Sequence, residues 1–275
     1  MKKLLRLSAY GMVVVSIIAG YEFASSNLSD FFEILPSATA SEIEVQENEN
    51  VFPTPDNSVE LRKIRSNPQL RKFFTLWGSN EKGLFDNTWL GVPTIQNPLD
   101  VWITQEILFQ VKPDFLVETG SLQGGSAALW ATILAQINPD AKIISVDITD
   151  NVTTAKELPI VKKMVTFLVG SSTDPAIFEK IEKQVRGKKV VVILDSAHTR
   201  EHVYEELKLY SKLVPVGSYL IVQDTGMVLP SPAILGWANL GVQDFMQEND
   251  QFIVDRSRER LVITNNPGGY LRRVR

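Results

Sequence analysis

The sequence predicts an α/β fold with a doubly wound, mostly parallel sheet that includes one antiparallel strand near the C-terminus. Strand-like and helix-like segments alternate from residue 101 onward, which is the order that builds a parallel sheet covered by helices. The run VVVILD, residues 190–195, is apolar almost throughout, as expected of a central strand buried on both faces. A glycine-rich segment, residues 118–126, directly follows the first strand, where such sheets bind ligands.

The first half of the sheet is predicted from three strands and the helices between them. Asp100 is a residue type that caps helices, and the apolar residues after it recur at helical spacing. Trp102 and Trp130 lie on such spacings and are assigned to the core. The predicted order is helix 101–111, strand 115–118, helix 124–137, strand 142–147, helix 155–164, strand 165–169 and helix 175–185.

The second half is predicted from the same patterns, beginning with the fourth strand at residues 190–195. The basic pieces RERLV and YLRRVR near the C-terminus are interpreted as solvated edges. The remaining predicted elements are helix 200–213, strand 219–224, helix 232–248, and short strands at 252–254 and 261–264.

The N-terminal part differs in composition from the rest of the chain. Three basic residues within the first six precede an apolar run at 7–21, so residues 1–23 are predicted as a signal peptide or membrane anchor. The protein would then be membrane-associated or exported; the alternative, a start site assigned too early, leaves it cytoplasmic. Residues 24–57 hold seven acidic residues and no Lys or Arg, which is typical of a flexible linker. The folded domain, with a helical N-terminal extension, is expected at 58–275.

Composition excludes several classes of function. A net charge of −4 and the lack of a basic stripe argue against nucleic acid as a partner. With no cysteine there are no disulfides, zinc-thiolate sites or cysteine nucleophiles. His198 and His202, in the string HTREH, match a zinc-protease pattern, but they follow a buried strand of a parallel sheet, which disfavours proteolysis.

The segment ETGSLQGGS, residues 118–126, is a candidate cofactor loop. Gly120 lets the backbone pass close to a ligand, and Gly124 and Gly125 open the next helix with its amides exposed. The glycine spacing is neither GxGxxG nor that of a P-loop. Asp147, at the end of the second strand, is placed to accept hydrogen bonds from ribose hydroxyls. Together these features predict a nucleoside-containing cofactor.

Two further acids end the fourth and fifth strands. Asp195 and Asp224 are hard oxygen ligands that suit Mg²⁺ or Mn²⁺, and capping of the following helices is the structural alternative. His198 lies three residues after Asp195, where it is either a general base for a substrate hydroxyl or a helix-start residue bonded to a carboxylate. His202, one turn later, is assigned to the surface or to packing.

Several ordered blocks resemble the cephalosporin hydroxylase and rhamnosyl O-methyltransferase family. They span roughly residues 58–275. The blocks are GVPTIQNPLDVWITQEIL, KPDFLVETGSLQGGSAALWA, LVGSSTDP, LDSAHTREHVYEEL, IVQDT and GGYLRRV. The resemblance implies a Rossmann-like methyltransferase fold that binds S-adenosylmethionine.

The resemblance also implies roles for individual residues. The cofactor would be held by residues of the glycine loop and of the next two strand ends, and a Mg²⁺ ion by three residues at the later strand ends. Members commonly have a Glu-Asp pair where this chain has Gln223-Asp224, so a neutral oxygen replaces a charged ligand. The implied cofactor residues are Glu118, Thr119, Gly120, Ser121, Gly125, Ser126, Asp147, Ser171 and Ser172, and the implied metal ligands are Asp195, Gln223 and Asp224.

The sequence favours one function, leaves a second open and disfavours a third. The resemblance favours a Mg²⁺-assisted O-methyltransferase that acts on a sugar, glycolipid or related hydroxylated metabolite. The alternative is a non-catalytic, cofactor-binding accessory protein of a modification complex, and a nicotinamide oxidoreductase is disfavoured by the glycine spacing. The expected partners are a small-molecule or glycolipid acceptor, the membrane through the N-terminus, and further copies of the chain in a homo-oligomer.

Overall fold

The computed structural model describes residues 86–226, 237–261 and 263–275, together with residues 67–69 and 72. Within these ranges a two-stranded hairpin (β1, β2) precedes a seven-stranded sheet with the strand order β5-β4-β3-β6-β7-β9-β8. The strands are β1 Thr88–Trp89, β2 Val92–Pro93, β3 Phe115–Thr119, β4 Lys142–Asp147, β5 Val165–Val169, β6 Val190–Leu194, β7 Tyr219–Val222, β8 Phe252–Val254 and β9 Tyr270–Arg273.

Helices alternate with the strands, as predicted. The helix predicted at 155–164 is broken before Pro159, because the ring and missing N–H of proline do not suit a helix interior. The helix predicted to end at 213 ends at Tyr210, and a 3₁₀ turn follows it. The helices are α1 Pro98–Val111, α2 Gly125–Ile137, α3 Thr153–Glu157, α4 Pro159–Met164, α5 Pro175–Val185, α6 Arg200–Tyr210 and α7 Trp237–Glu248.

The parallel register brings the carboxyl ends of five strands, β3 to β7, to one edge of the sheet. Among these five strands β3 is the central one, and it pairs with β4 on one side and β6 on the other. Thr119 is paired with Val146 and with Leu194, so the residues that follow these strands emerge side by side. This is the point where the strand order reverses, at which open α/β sheets form a ligand crevice.

Apolar clusters cover both faces of the sheet. Val190 to Leu194 are at most 2% exposed, and their alternate side chains enter opposite clusters. One cluster packs β6 and β7 against α5, α6 and α7, and the other packs the same strands against α1 and α2. The predicted fold class, a doubly wound and mostly parallel sheet, is confirmed, with β9 as the antiparallel strand.

The C-terminal strand was placed wrongly from the sequence. Residues 261 and 263–264 are not a strand, whereas Tyr270–Arg273 pairs antiparallel with both β7 and β8. Tyr270 and Leu271 are fully buried, so this basic piece is an internal strand with its arginines toward the rim. The charges of its two half-buried arginines concealed the strand.

Two residues of α1 also differ from expectation. Asn97 caps the helix by accepting from Leu99 N, while Asp100 is buried inside the first turn. Asp100 accepts hydrogen bonds from Thr264, Asn265 and Tyr270, which ties α1 to the segment before β9. Trp102 is 63% exposed rather than in the core, whereas Trp130 is fully buried as predicted.

The predictions for residues 1–23, for the linker at 24–57 and for the extension from 58 fall almost entirely outside the described residues. Among the helices that the structure describes, none combines the length and the hydropathy that a membrane crossing requires.

Candidate active site

The glycine loop leaves β3 through a position that only glycine can occupy. Gly120 has φ +87°, and a Cβ atom there would lie 1.9 Å from the carbonyl oxygen of Asp195. Its N–H donates to Val146 O, and Asp195 N donates to Thr119 O. The loop therefore starts wedged between the ends of β4 and β6, in direct contact with the first residue after β6.

Asp147 anchors the far side of the loop. Its Oδ2 accepts from Leu122 N at 2.8 Å, and its Oδ1 accepts from the backbone N and the Oγ1 of Thr149. Leu122 has φ +46°, a strained value for a bulky residue, so this bond holds an unfavourable conformation. A carboxylate offers about four acceptor positions, so about one stays free for a ligand hydroxyl.

Glu118 lies beneath the loop and is fully buried. Its carboxyl group accepts hydrogen bonds from Trp130 Nε1 and Ser145 Oγ, and Ser145 Oγ also bonds Ser121 Oγ. Burial raises the pKa of Glu118 to about 7, although these donors oppose the shift. The side chain thus supports the loop from below.

The N-terminus of α2 follows the loop and is closely covered. Gly124, at φ +82°, is the N-cap and supplies no side-chain hydrogen bond to the first turn. A Cβ on Gly125 would lie 2.1 Å from Pro93 O and Thr94 Oγ1, so the end of β2 and the residue after it pack directly against this turn. Backbone N–H groups of a first helical turn have no partner within the helix and attract anionic or polar ligand groups.

The second part of the site lies at the ends of β6 and β7. Ligand atoms of Asp195, His198 and Asp224 all lie within 4.8 Å of one another. His198 Nε2 is 3.4 Å from Asp224 Oδ2 and 3.9 Å from Asp195 Oδ1. Burial raises the pKa of both aspartates, and the charge of Asp224 raises that of Asp195 further, whereas the charge of His198 lowers that of Asp224. The structure thus brings the two predicted acids together and places the predicted base between them.

Gln223 joins this group through a residue that the sequence analysis missed. Gln96, in the irregular segment between β2 and α1, donates from Nε2 to Asp195 Oδ2 at 3.0 Å and to Gln223 Oε1 at 2.9 Å. Both glutamines are buried. Gln96 lies in the first block that carries the family resemblance, but it was not singled out, because 99 residues separate it from Asp195 and glutamine alone indicates no chemistry.

The two serines predicted near the adenine, Ser171 and Ser172, form hydrogen bonds within the loop after β5 and with α6. Ser171 Oγ bonds Thr173 Oγ1, and Ser172 Oγ lies 3.0 Å from His202 Nε2. His202 also contacts Ser196 Oγ, which donates to the buried Glu206. His202 is therefore neither a surface residue nor a simple packing residue, but part of a polar cluster that fixes the segment after Asp195.

We call the residues after β3 and β4 the cofactor end of the candidate site, and the residues after β6 and β7 its acceptor end.

The family model "Rhamnosyl O-methyltransferase/CmcI" matches residues 82–274. This chain belongs to that family. The predicted resemblance and the enzyme class, a methyltransferase dependent on S-adenosylmethionine, are thereby confirmed.

Individual relatives agree with the assignment. A rhamnosyl O-methyltransferase of Mycobacterium bovis (strain BCG / Pasteur 1173P2) is 32% identical over 67% of this chain and 77% of its own. The same enzyme of Mycobacterium leprae is 35% identical over 51% of this chain, and the match covers 61% of the relative. A solved structure described as "cmcI-D160 Mg-SAM" superposes with a TM-score of 0.54 at 21% identity, over 70% of this chain and 78% of that one, which supports the fold.

Proposed function

We propose that the chain transfers the methyl group of S-adenosylmethionine to a hydroxyl of a sugar, glycolipid or related metabolite, with a rhamnosyl group as the first acceptor to test. The observation that supports this most is the contact between Gly120 and Asp195. It joins the cofactor end to the acid cluster, so a methyl donor in the loop and a hydroxyl at the cluster would be neighbours. The names of the mycobacterial relatives suggest the rhamnosyl acceptor.

The cofactor end supplies binding groups of the right kinds for a nucleoside with an amino acid tail. The free acceptor position of Asp147 suits a ribose hydroxyl, and the first turn of α2, with Gly125 and Ser126, suits a carboxylate. Gly120 gives close backbone approach. We assign Thr119, Ser121 and the buried Glu118 to supporting the loop, and Ser171 and Ser172 to the wall after β5.

The acceptor end fits a divalent cation. Asp195 and Asp224 offer carboxylate oxygens and Gln223 a carbonyl oxygen, the ligand types that Mg²⁺ and Mn²⁺ prefer. The two half-buried carboxylates lie close together, and no Lys or Arg of the described residues forms an ion pair with them. A bound Mg²⁺ would lower the pKa of an acceptor hydroxyl and hold its oxygen.

The chain's own residues then account for proton transfer and alignment. His198 accepts the hydroxyl proton at Nε2, where the adjacent carboxylates of Asp224 and Asp195 stabilise the imidazolium. The hydroxyl oxygen forms a bond to the methyl carbon as the carbon–sulfur bond breaks, leaving S-adenosylhomocysteine. Because a methylsulfonium is already reactive, holding the two groups in line is the main catalytic contribution.

The test combines binding and turnover. Calorimetry with S-adenosylhomocysteine should show binding, and rhamnosyl glycolipids with S-adenosylmethionine and Mg²⁺ should be methylated. His198→Asn should lower turnover on the order of 100-fold, whereas Glu205→Gln, a control at an exposed residue of α6, should retain most of it. Binding without methylation of any acceptor would instead favour the accessory-protein alternative.

We also propose that the chain forms a homo-oligomer and associates with the membrane through its N-terminus. Light scattering tests the first proposal and cell fractionation the second.

A further inference from the structure

Gln96 lies in the short segment between β2 and α1. Pro93, the last residue of β2, and Thr94, the first residue of this segment, lie against Gly125. Its amide is buried and reaches across to the acceptor end. The same short segment therefore contacts both ends of the site.

The hydrogen bonds of Gln96 have only one consistent direction. A carboxylate of Asp195 that holds a cation is ionised and can only accept, so Gln96 then turns its NH₂ group toward it. The second hydrogen of that NH₂ group points to Gln223, which must then turn its carbonyl oxygen, not its own NH₂ group, toward Gln96. Both hydrogens of the Gln96 amide are thereby used.

This direction decides what Gln223 offers to a cation. An amide side chain can present either oxygen or nitrogen, and only the oxygen binds Mg²⁺ or Mn²⁺. With Gln96 as donor, Gln223 Oε1 stands beside Asp195 and keeps a second lone pair free. A glutamate at position 223 would need no such control, because both of its outer atoms are oxygens.

We propose that Gln96 is a positioning residue that orients Gln223 as an oxygen ligand and so allows the acceptor end to bind a divalent cation. The inference rests on the metal part of the proposed function. Gln96 itself donates hydrogens and touches no reacting atom, so its action is through Gln223 and Asp195.

The experiment is a double-mutant cycle with Mn²⁺ as the probe, its free concentration followed by electron paramagnetic resonance. Gln96→Leu in the natural background should weaken Mn²⁺ binding at least about tenfold, the range typical of groups that orient a metal ligand. In a Gln223→Glu background the same substitution should change affinity less than about threefold. Gln184→Leu, at an exposed glutamine of α5, is the control and should change neither.

The outcomes separate positioning from a general structural role. Equal losses in the two backgrounds, or no loss in either, would overturn the proposal. If the Gln96→Leu variant does not melt cooperatively, Gln96→Met replaces it in the cycle, because methionine has an unbranched side chain of similar length to glutamine. A natural protein that binds no Mn²⁺ at millimolar concentration also overturns the proposal, and calorimetric binding of S-adenosylhomocysteine by the same preparation would leave the cofactor part of the proposed function standing.

Discussion

The cofactor end and the acceptor end of the site handle their acids differently. At the cofactor end, Asp147 accepts three hydrogen bonds from Leu122 and Thr149, and Glu118 accepts from Trp130 and Ser145 while its pKa stands near 7. At the acceptor end, Asp195 and Asp224 face each other, and burial raises the pKa of both. Among the described residues, their side-chain partners are the imidazole of His198 and the amides of Gln96 and Asn265.

This difference separates a part that is complete without ligands from a part that is not. Hydrogen bonds hold both acids of the cofactor end, so its loop can be preformed. The acceptor end carries two adjacent, half-buried carboxylates whose repulsion a cation would relieve. We therefore expect substitutions at the cofactor end to act on the fold and on cofactor affinity, and substitutions at the acceptor end to depend on the metal.

The largest effect is expected at Gly120, where the two ends meet. Gly120→Ala would place a methyl group 1.9 Å from a backbone oxygen that cannot move aside, and should cost about 3 kcal/mol or more of unfolding free energy, with loss of cofactor binding. Gly187→Ala is the matched control, because Gly187 also has positive φ but has open space around it. It should cost only about 1 kcal/mol. Urea unfolding of both variants makes the measurement, and equal losses would contradict a steric cause.

The protonation of Glu118 gives the second prediction. Between the ordinary pKa of 4.5 and the raised value of about 7, the folded protein holds a proton that the unfolded chain has lost. Stability should therefore fall by about 3 kcal/mol as the pH rises through this window. Glu118→Gln stays neutral and should lack this contribution, so its unfolding free energy should exceed that of the natural protein at pH 8 and not at pH 5.

Denaturant unfolding at several pH values measures the difference between the two proteins. Glu182→Gln, at an exposed glutamate of α5, serves as the control. Parallel pH curves for the natural protein and Glu118→Gln would show that Glu118 is ionised in the fold.

Local patterns were enough to predict the fold and to mark the residues that we propose for the cofactor end. Apolar runs set the parallel strands, and a glycine loop followed by a strand-end acid marked the site, because these features lie close together in the sequence. Strand β9 was missed because its pairing with β7 depends on distant residues, and its arginines resemble a solvated tail. Gln96 was missed for the same reason, since only the folded chain brings it to Asp195.

Asp147→Ala probes the cofactor end directly. It removes the proposed ribose acceptor and the bond that holds Leu122 at positive φ, so affinity for S-adenosylhomocysteine should fall by roughly 1–3 kcal/mol. Asp150→Ala, at the exposed acid that pairs with Lys156, is the control and should bind normally. Unchanged calorimetric affinity of the Asp147 variant would remove Asp147 from the cofactor site.

The smallest expected effect has a sign that depends on the metal. Gln223→Glu adds a third negative charge beside Asp195 and Asp224, so without metal the variant should be less stable than the natural protein by about 1 kcal/mol, or a melting shift of about 2–4 °C. With Mg²⁺ the added carboxylate becomes a charged ligand, and the variant should melt above the natural protein under the same conditions. Melting curves with Mg²⁺ and with a chelator test this reversal, and Gln184→Glu on the surface of α5 should show none. A variant that is destabilised equally with and without Mg²⁺ would mean that position 223 does not reach the cation, and the acceptor end would then rely on Asp195, His198 and Asp224 alone.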